Sequence, residues 1–364
     1  MYLSVAILLS PITSAQEPYD LNQYGKGIVD EKTAKEIDSE RHFPIKLTLI
    51  VKDEEGNPVS DADVDVGIDS SLHMDGHNSF KGITNETGMF SVEARGGGSS
   101  DIVVTKNNYY PSRPDVEWND KRNLDINNLR KIGFQPWNQT VNVILKKLEN
   151  PIPMMVRLGL GNTDHIRYAP KLDEEVGYDL VAGDWVNPHG SGEVGDIQVM
   201  FKSDFKNPEN YTTKATFRFS NPDDGVIPIA SLIGSESLLK YPRSAPVNGY
   251  EVKSITLTKQ SGEQPQPKRK EPIGYFLRLR TIIETDTGKI LSAKYGKIIK
   301  ESGHNSNENP FRLSSGMWKE RKFDPTPGFQ ISYYLNPTPN DRNLEYDQQN
   351  NLAPEADKGA TYPP

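Results

Sequence analysis

Three groups of residues in this 364-residue chain have types and spacings that could do chemistry. In VSDADVDVGID, Val59 to Asp69, the acids Asp61, Asp63 and Asp65 show the D-x-D-x-D spacing of a calcium loop, with Asp69 further on. In LHMDGHNSF, His73 and His77 stand four apart, a spacing that on a helix aims two imidazoles at one metal ion. In AGDWVNPHGSGEVGD, the residues Asp184, Trp185, His189 and Glu193 crowd into a Gly-rich loop. An aromatic ring there could stack on a sugar, and an acid or imidazole could move a proton.

The first two groups fail on their own neighbours. A calcium loop starting at Asp61 needs Gly at position 66 and Glu at position 72, where the chain has Val66 and Leu72. Alternate residues of a strand lie about 6.5 to 7 Å apart along one face, so these carboxylates cannot converge on an ion without a sharp turn. They read as the solvated face of a strand whose other face is Ala62, Val64, Val66 and Ile68. Around His73 and His77, Gly76 and Asn78 make a loop, and the Glu of a zinc-peptidase helix is missing between them. No metal site and no cofactor is expected. For the third group two readings stand: a ligand-binding loop of Asp184, Trp185, His189 and Glu193, or a loop that packs its Trp against a sheet.

Other chemistry is sparse. There is no G-x-S-x-G and no Walker sequence, and RGGGSS, Arg95 to Ser100, joins strands without opening a helix. Arg278, Arg280, Lys294 and Lys297 lie on the two arms of a hairpin and are expected to form a basic, solubilising face.

The elements that carry these residues are strands. With 29 glycines, 27 prolines and 35% apolar residues, the composition is that of many turns and short strands. The net charge of −8 lacks the clustered Lys and Arg of a phosphate-tracking surface, which excludes nucleic acid as the main partner. The N-terminus carries an apolar run from Val5 to Leu9, a Pro, and small residues before Gln16, which reads as a secretory signal peptide over 1–15. No stretch is long enough to be a transmembrane segment. The absence of cysteine rules out disulfides and thiolate sites and suits a bacterial periplasm or exterior. The sequons at Asn85, Asn138 and Asn210 are then chance matches on loops.

After a polar lead (16–43), period-two alternation begins in IKLTLIVKD, where Ile45, Leu47, Leu49 and Val51 share one face. DEEGNP supplies a turn, with Gly56 for positive φ and Pro58 to restart the chain. KGITNETGMFSVEA gives two strands around an Asn85 to Gly88 turn, and SDIVVTKNNYY and QTVNVILKKL add two more. A short helix is expected around Leu124 to Lys131. These segments, in this order, resemble the carboxypeptidase regulatory-like domain, a prealbumin-like sandwich of seven strands. Two positions depart from its pattern: Asp61 and Asn108 stand where the family commonly has Gly, and both residue types tolerate left-handed backbone. The resemblance implies a non-catalytic accessory module of exported proteins and carries over no catalytic residue.

ENPIPMM reads as a Pro-punctuated linker. Beyond it a second set of strands, 152–336, includes the hairpin FLRLRTIIETDTGKILSAKYGKI, turned at Asp286 to Lys289. KQSGEQPQPKRKEP reads as a Pro-rich loop. From 337 to 364 the chain is Pro- and Asn-rich and is expected to lie along the surface or to be disordered. YLNPTPNDRNLEYD, GYFLRLRT and AKYGKI together resemble a signature recurring in exported bacterial proteins, a kinship that implies no function. The expectation is an all-β chain of two β-sandwich domains in tandem, 44–148 and 152–336, with little helix. Its expected role is that of a secreted or periplasmic, non-enzymatic binding or structural protein. The partner is a polysaccharide or another exported protein; the rival is a carbohydrate hydrolase using acids of the Trp185 loop.

Overall fold

The computed structural model describes residues 43–69, 77–97, 100–116, 118, 129, 131–159, 166–232, 234, 236–262, 272–300, 310–319, 322–353 and 364. The signal peptide, nearly all of the polar lead, His73, most of the expected helix and most of the KQSGEQPQPKRKEP loop lie outside these residues. The protein is all-β, with two compact units. One holds the chain to Asn107 together with Pro111–Leu145; the other holds Asn108–Tyr110 and everything from Lys146 onward.

In the first unit, β1 (Phe43–Lys52), β2 (Asp63–Asp69), β3 (His77–Ile83), β4 (Met89–Gly96), β5 (Ser100–Thr105) and β6 (Gln139–Ile144) make two three-stranded sheets. Their orders are β4-β1-β6 and β3-β2-β5, with β1 and β6 parallel. That is six strands among the described residues, where the resemblance implies seven; the described residues between β5 and β6 add no further strand. Ile45, Leu47, Leu49 and Val51 of β1, and Val64, Val66 and Ile68 of β2, are buried. Their alternation fixes which face each sheet turns inward, since a one-residue slip would put all of them in water.

The acids of β2 lie on the opposite face. Asp61 and Asp63 are exposed, and Asp65 pairs with Lys81 at 3.0 Å and accepts from the Ser79 hydroxyl. Asp61 and Asn108 take φ of 49° and 64°, the left-handed geometry that lets them stand at Gly positions. Gly88 (φ 73°) is required for a second reason, because a Cβ there would lie 2.3 Å from the Val51 carbonyl oxygen.

The second unit begins with β7 (Ile152–Arg157), β8 (Arg167–Tyr168), β9 (Glu175–Asp179), β10 (Asp184–Trp185), β11 (Ile197–Asn207) and β12 (Asn210–Phe219). It continues through β13 (Gly225–Ile229), β14 (Ser254–Gln260), β15 (Gly274–Ile283), β16 (Ile290–Ile299) and β17 (Arg312–Ser314). The last strands are β18 (Met317–Lys319), β19 (Lys322–Asp324), β20 (Gly328–Gln330), β21 (Ser332–Leu335) and β22 (Tyr346–Asn351). A five-stranded sheet, β10-β9-β11-β12-β14, accompanies a six-stranded one, β13-β15-β16-β21-β7-β22. Between them lies an aromatic core that includes Tyr178, Phe201, Phe217, Tyr275, Leu277 and Tyr333. A second buried cluster lines the other face of the six-stranded sheet, where Tyr295, Tyr334 and Ile299 meet Tyr241, Ala245, Tyr250, Leu344 and Tyr346. Both faces of that sheet are therefore covered, which is why all four residues of β21 are buried.

Two expectations are corrected here. The 337–364 tail does not simply lie along the surface: Tyr346–Asn351 forms a parallel edge strand on β7, and Leu344, Glu345 and Tyr346 are buried. Its polar side chains take the place of missing ladder partners. Asn351 donates to the Val156 carbonyl and accepts from the Val156 amide, both at 3.0 Å. Glu345 accepts from the Tyr110 hydroxyl and from the amides of Glu149 and Asn150.

Nor do the four basic residues of the hairpin form a solubilising face. On β16 Lys294 and Lys297 are three apart and so face opposite sides of the sheet. Lys297 is fully buried; it donates to the Leu344 carbonyl at 2.9 Å and lies 4.8 Å from the centre of the Tyr334 ring. Arg278 lies over the Tyr250 ring at 4.6 Å and donates to the Asp223 carbonyl.

Burial pushes the Lys297 ammonium down to about 7, against the pull of Glu345 and with the push of Lys146. Between pH 7 and 10.5 the unfolded chain keeps a proton that the native lysine has released, so unfolding free energy rises with pH in that window. Above pH 10 the buried tyrosines, whose hydroxyls burial pushes up, reverse the trend. Lys253 and Lys294, also held low by burial, add to the rise. The melting temperature is expected to climb from about pH 7 to about pH 10, and Lys297→Met should flatten most of the climb. An equal climb in the variant would show that Lys297 keeps its proton in the fold.

Candidate functional site

The loop that gathers Asp184, Trp185, His189 and Glu193 joins β9 to β11 and contains β10. It is a tight structure. Val186 donates to Gly177, Gly192 to Trp185 and His189 to Val186, all through the backbone at 2.9 to 3.0 Å. Close approach explains the glycines: a Cβ on Gly190 would lie 2.5 Å from the Trp185 carbonyl oxygen.

The structure separates the four expected ligand residues. Trp185 is 5% exposed and belongs to the core, edge-on to Tyr178 at 5.3 Å and to Phe329 at 5.8 Å. Its ring has no free face for a sugar. Asp184 is half-buried, and one carboxylate oxygen accepts from the Trp185 amide while the other accepts from the Ser191 amide and hydroxyl. Burial presses this carboxyl upward, but the Ser191 and Trp185 donors outweigh it and hold it below the usual carboxylate range. The His189 and Glu193 side chains are exposed. No acid, imidazole and aromatic face converge there on a shared point.

What the sequence did not single out is the charge cluster beneath the loop. Asp179, at the end of β9, accepts from the amides of Val181 and Ala182 on one oxygen and from those of Glu193 and Val194 on the other. Asp196, just before β11, accepts from the Leu180 amide. Arg280 bridges the two, its Nη2 2.8 Å from Asp179 and its Nε 2.9 Å from Asp196.

Arg280 reaches them because β15 bulges. The ladder to β16 runs Leu279 to Lys294 and then Ile282 to Ser292, so β15 has one residue more than its partner. Regular alternation would place Arg280 with Arg278 on the face that carries Tyr250. The bulge, with Arg280 at φ 51°, turns it to the other side. Asp224 stabilises the bulge by accepting from the amides of Arg280 and Thr281, at 2.8 and 2.9 Å.

The three aspartates differ electrically. Burial raises Asp179, but the amides of Ala182, Val194 and Glu193, with Arg280, bring it below its ordinary value. For Asp196 burial prevails over Arg280, and for Asp224 it prevails over the Thr281 and Arg280 donors, so both carboxyls are pushed up. All three are surrounded by bonds that shape the chain. Among the described residues no group of three or more His, Cys, Asp or Glu is arranged to hold a metal ion.

Comparison with known proteins names no relative. No family model matches the chain, and no curated protein matches it. Among solved structures, the 3-chlorocatechol 1,2-dioxygenase of Rhodococcus opacus is similar at 15% identity over 29% of this chain and 60% of that one, with a TM-score of 0.21. The shaft pilin SpaA of Lactobacillus rhamnosus is similar at 13% identity over 50% of this chain and 90% of that one, TM-score 0.18. BcpA, the major pilin subunit of Bacillus cereus, is similar at 10% identity over 68% of this chain and 91% of that one, TM-score 0.21. Scores this low carry nothing about function to this chain.

The geometry separates the loop's residues by stability. Trp185→Ala should cost about 3–5 kcal/mol in urea unfolding, as for large aromatic truncations in cores. His189→Ala and Glu193→Ala should stay within about 0.5 kcal/mol. Arg280→Met, which leaves two buried aspartates facing each other, should cost about 3 kcal/mol. Full stability in Trp185→Ala would contradict the ring's place in the core.

Proposed function

We propose that this chain is an exported, non-catalytic binding or structural protein of the periplasm or cell exterior, engaging a polysaccharide or a protein partner. The observation that carries the reading is the Trp185 loop. It is the loop where acid, imidazole and aromatic residues gather, yet its Trp is core and its Asp184 holds the backbone of the loop. A general acid must be free to exchange a proton with a substrate, and an acid occupied by three structural donors is not. The export reading is supported by the apolar run and small residues at the N-terminus and by the absence of cysteine. No helix among the described residues is long and apolar enough to cross a membrane.

The resemblance to a carboxypeptidase regulatory-like module supports the non-catalytic reading. The left-handed turns at Asp61 and Asn108 fit that pattern where Gly is commonly found.

The test pairs two measurements on the full chain. Incubated with insoluble cellulose, chitin, xylan and pectin, the protein is expected to be depleted from solution without release of reducing ends. Reducing-end release that Asp184→Asn or Glu193→Gln abolishes would overturn the reading in favour of a hydrolase. Neither depletion nor release would remove polysaccharide and leave the protein partner.

A further inference from the structure

We infer that the outward face of the β4-β1-β6 sheet in the first unit is a glycan platform for an acidic polysaccharide, with Trp137 as its stacking ring and Arg95 as its carboxylate contact. The inference rests on the binding reading above and gives it a site and a ligand class.

The ring is held in place while part of it stays in water. Trp137 is 41% exposed, as is its neighbour Ile132 at 55%. Single exposed apolar residues are ordinary, so exposure alone decides nothing. The loop under Trp137, however, is anchored. Phe134 is fully buried, edge-on to Phe43 at 6.0 Å, and its amide donates to the Pro44 carbonyl. Gln135 braces the turn from both sides: its amide nitrogen donates to the Ile132 carbonyl at 2.8 Å and its oxygen accepts from the Trp137 amide at 3.2 Å. A Cβ on Gly133 would lie 2.4 Å from the Pro44 carbonyl oxygen and 3.0 Å from the Trp137 ring, so the ring is seated at the Pro44 end of β1. A ring fixed in this way loses little freedom on meeting a ligand.

Beside the ring runs a row of hydroxyls and amides. The Thr48 hydroxyl is 2.8 Å from that of Ser91 and 2.9 Å from the Asn138 side-chain oxygen. Thr140 is paired with Thr48, and Asn142 with Ile50, both exposed on β6. Lys46 and Glu93 neutralise each other at 2.6 Å. Arg95, paired with Pro44, is exposed at the same end of the sheet as the ring. Outward positions of one strand are about 6.6 Å apart, so Pro44, Lys46 and Thr48, the last covered by its neighbours, span roughly 13 Å of this face.

A pyranose ring matches this pattern, with an apolar C–H face for the indole and hydroxyls at its edge for Ser91, Thr140 and Asn142. Charge narrows the class. In a chain of net charge −8, the described strand residues at the ring end of this face are Lys46 and Arg95 against Glu93, one positive charge in excess among them, which suits a sugar carboxylate.

Calorimetric titration of the full chain with hexamers of galacturonate, mannuronate and glucose tests the inference. Binding to at least one uronate hexamer, tighter than to the glucose hexamer, is expected. Trp137→Ala should weaken it at least about tenfold, and Trp137→Tyr, which keeps a ring if the alanine variant fails to fold, should restore most of it. Arg95→Gln should remove the preference for uronate. Binding that survives both Trp137→Ala and Arg95→Gln overturns this placement while leaving a glycan-binding protein. Equal binding of the glucose hexamer overturns the acidic class, and no binding to any hexamer overturns the inference. In each case the hydrolysis assay above judges the broader reading separately.

Discussion

Much of the second unit's loop end depends on the Arg280 guanidinium between Asp179 and Asp196. Each of these acids, besides meeting the arginine, accepts from backbone amides of the segment 180–194. Without the cation, two buried carboxylates would face each other, and the amides that hold them would have to bear the whole repulsion. The bulge that aims Arg280 is in turn held by Asp224 through the two amides beside the irregularity. Three aspartates and one arginine thus convert an interruption in one sheet into the frame for a loop of another.

A related constraint governs the six-stranded sheet. Because one face packs on the five-stranded sheet and the other is covered by the segments around Tyr241 to Tyr250 and Leu344 to Tyr346, polar groups near its middle have no water to turn to. They take backbone carbonyls instead. Lys297 uses Leu344, the Tyr241 hydroxyl uses Ile273, and Asn336 uses Asn343. The covering segment from Asn336 onward is consequently part of the fold, although its composition is that of a surface tail.

This explains which parts were legible in the sequence. Alternation placed the β1 and β2 residues on the correct faces, because one side of each sheet is water and the pattern has to show it. The left-handed turns at Asp61 and Asn108 were legible because few residue types tolerate that backbone. Lys297 and Arg280 were not, since a lysine or arginine in a strand looks like a solvated residue until the opposite face proves to be covered. Asn351 and Glu345 were hidden for the same reason: their partners, Val156 in β7 and the amides of Glu149 and Asn150 just before it, are nearly two hundred residues away. Asp179 and Asp196 left a faint signal as acids at strand ends, within apolar surroundings, but nothing in one dimension joins them to Arg280.

The two tryptophans Trp185 and Trp137 carry the same lesson into function. Both follow Gly- or Pro-containing turns and both could be read as rings for a sugar, yet packing sends them to opposite fates. Trp185 follows a strand whose next turn is clamped by Asp184, and the clamp presses it against Tyr178 and Phe329. Trp137 follows a residue, Phe134, that already fills the local core, so the second ring is left at the surface. Trp185 and Asp184 are therefore scaffold, while Trp137 stands partly in water on the other unit. Binding needs surface groups held still, and the Trp137 ring, fixed by the loop beneath it and 41% exposed, is of that kind where the buried Trp185 ring is not.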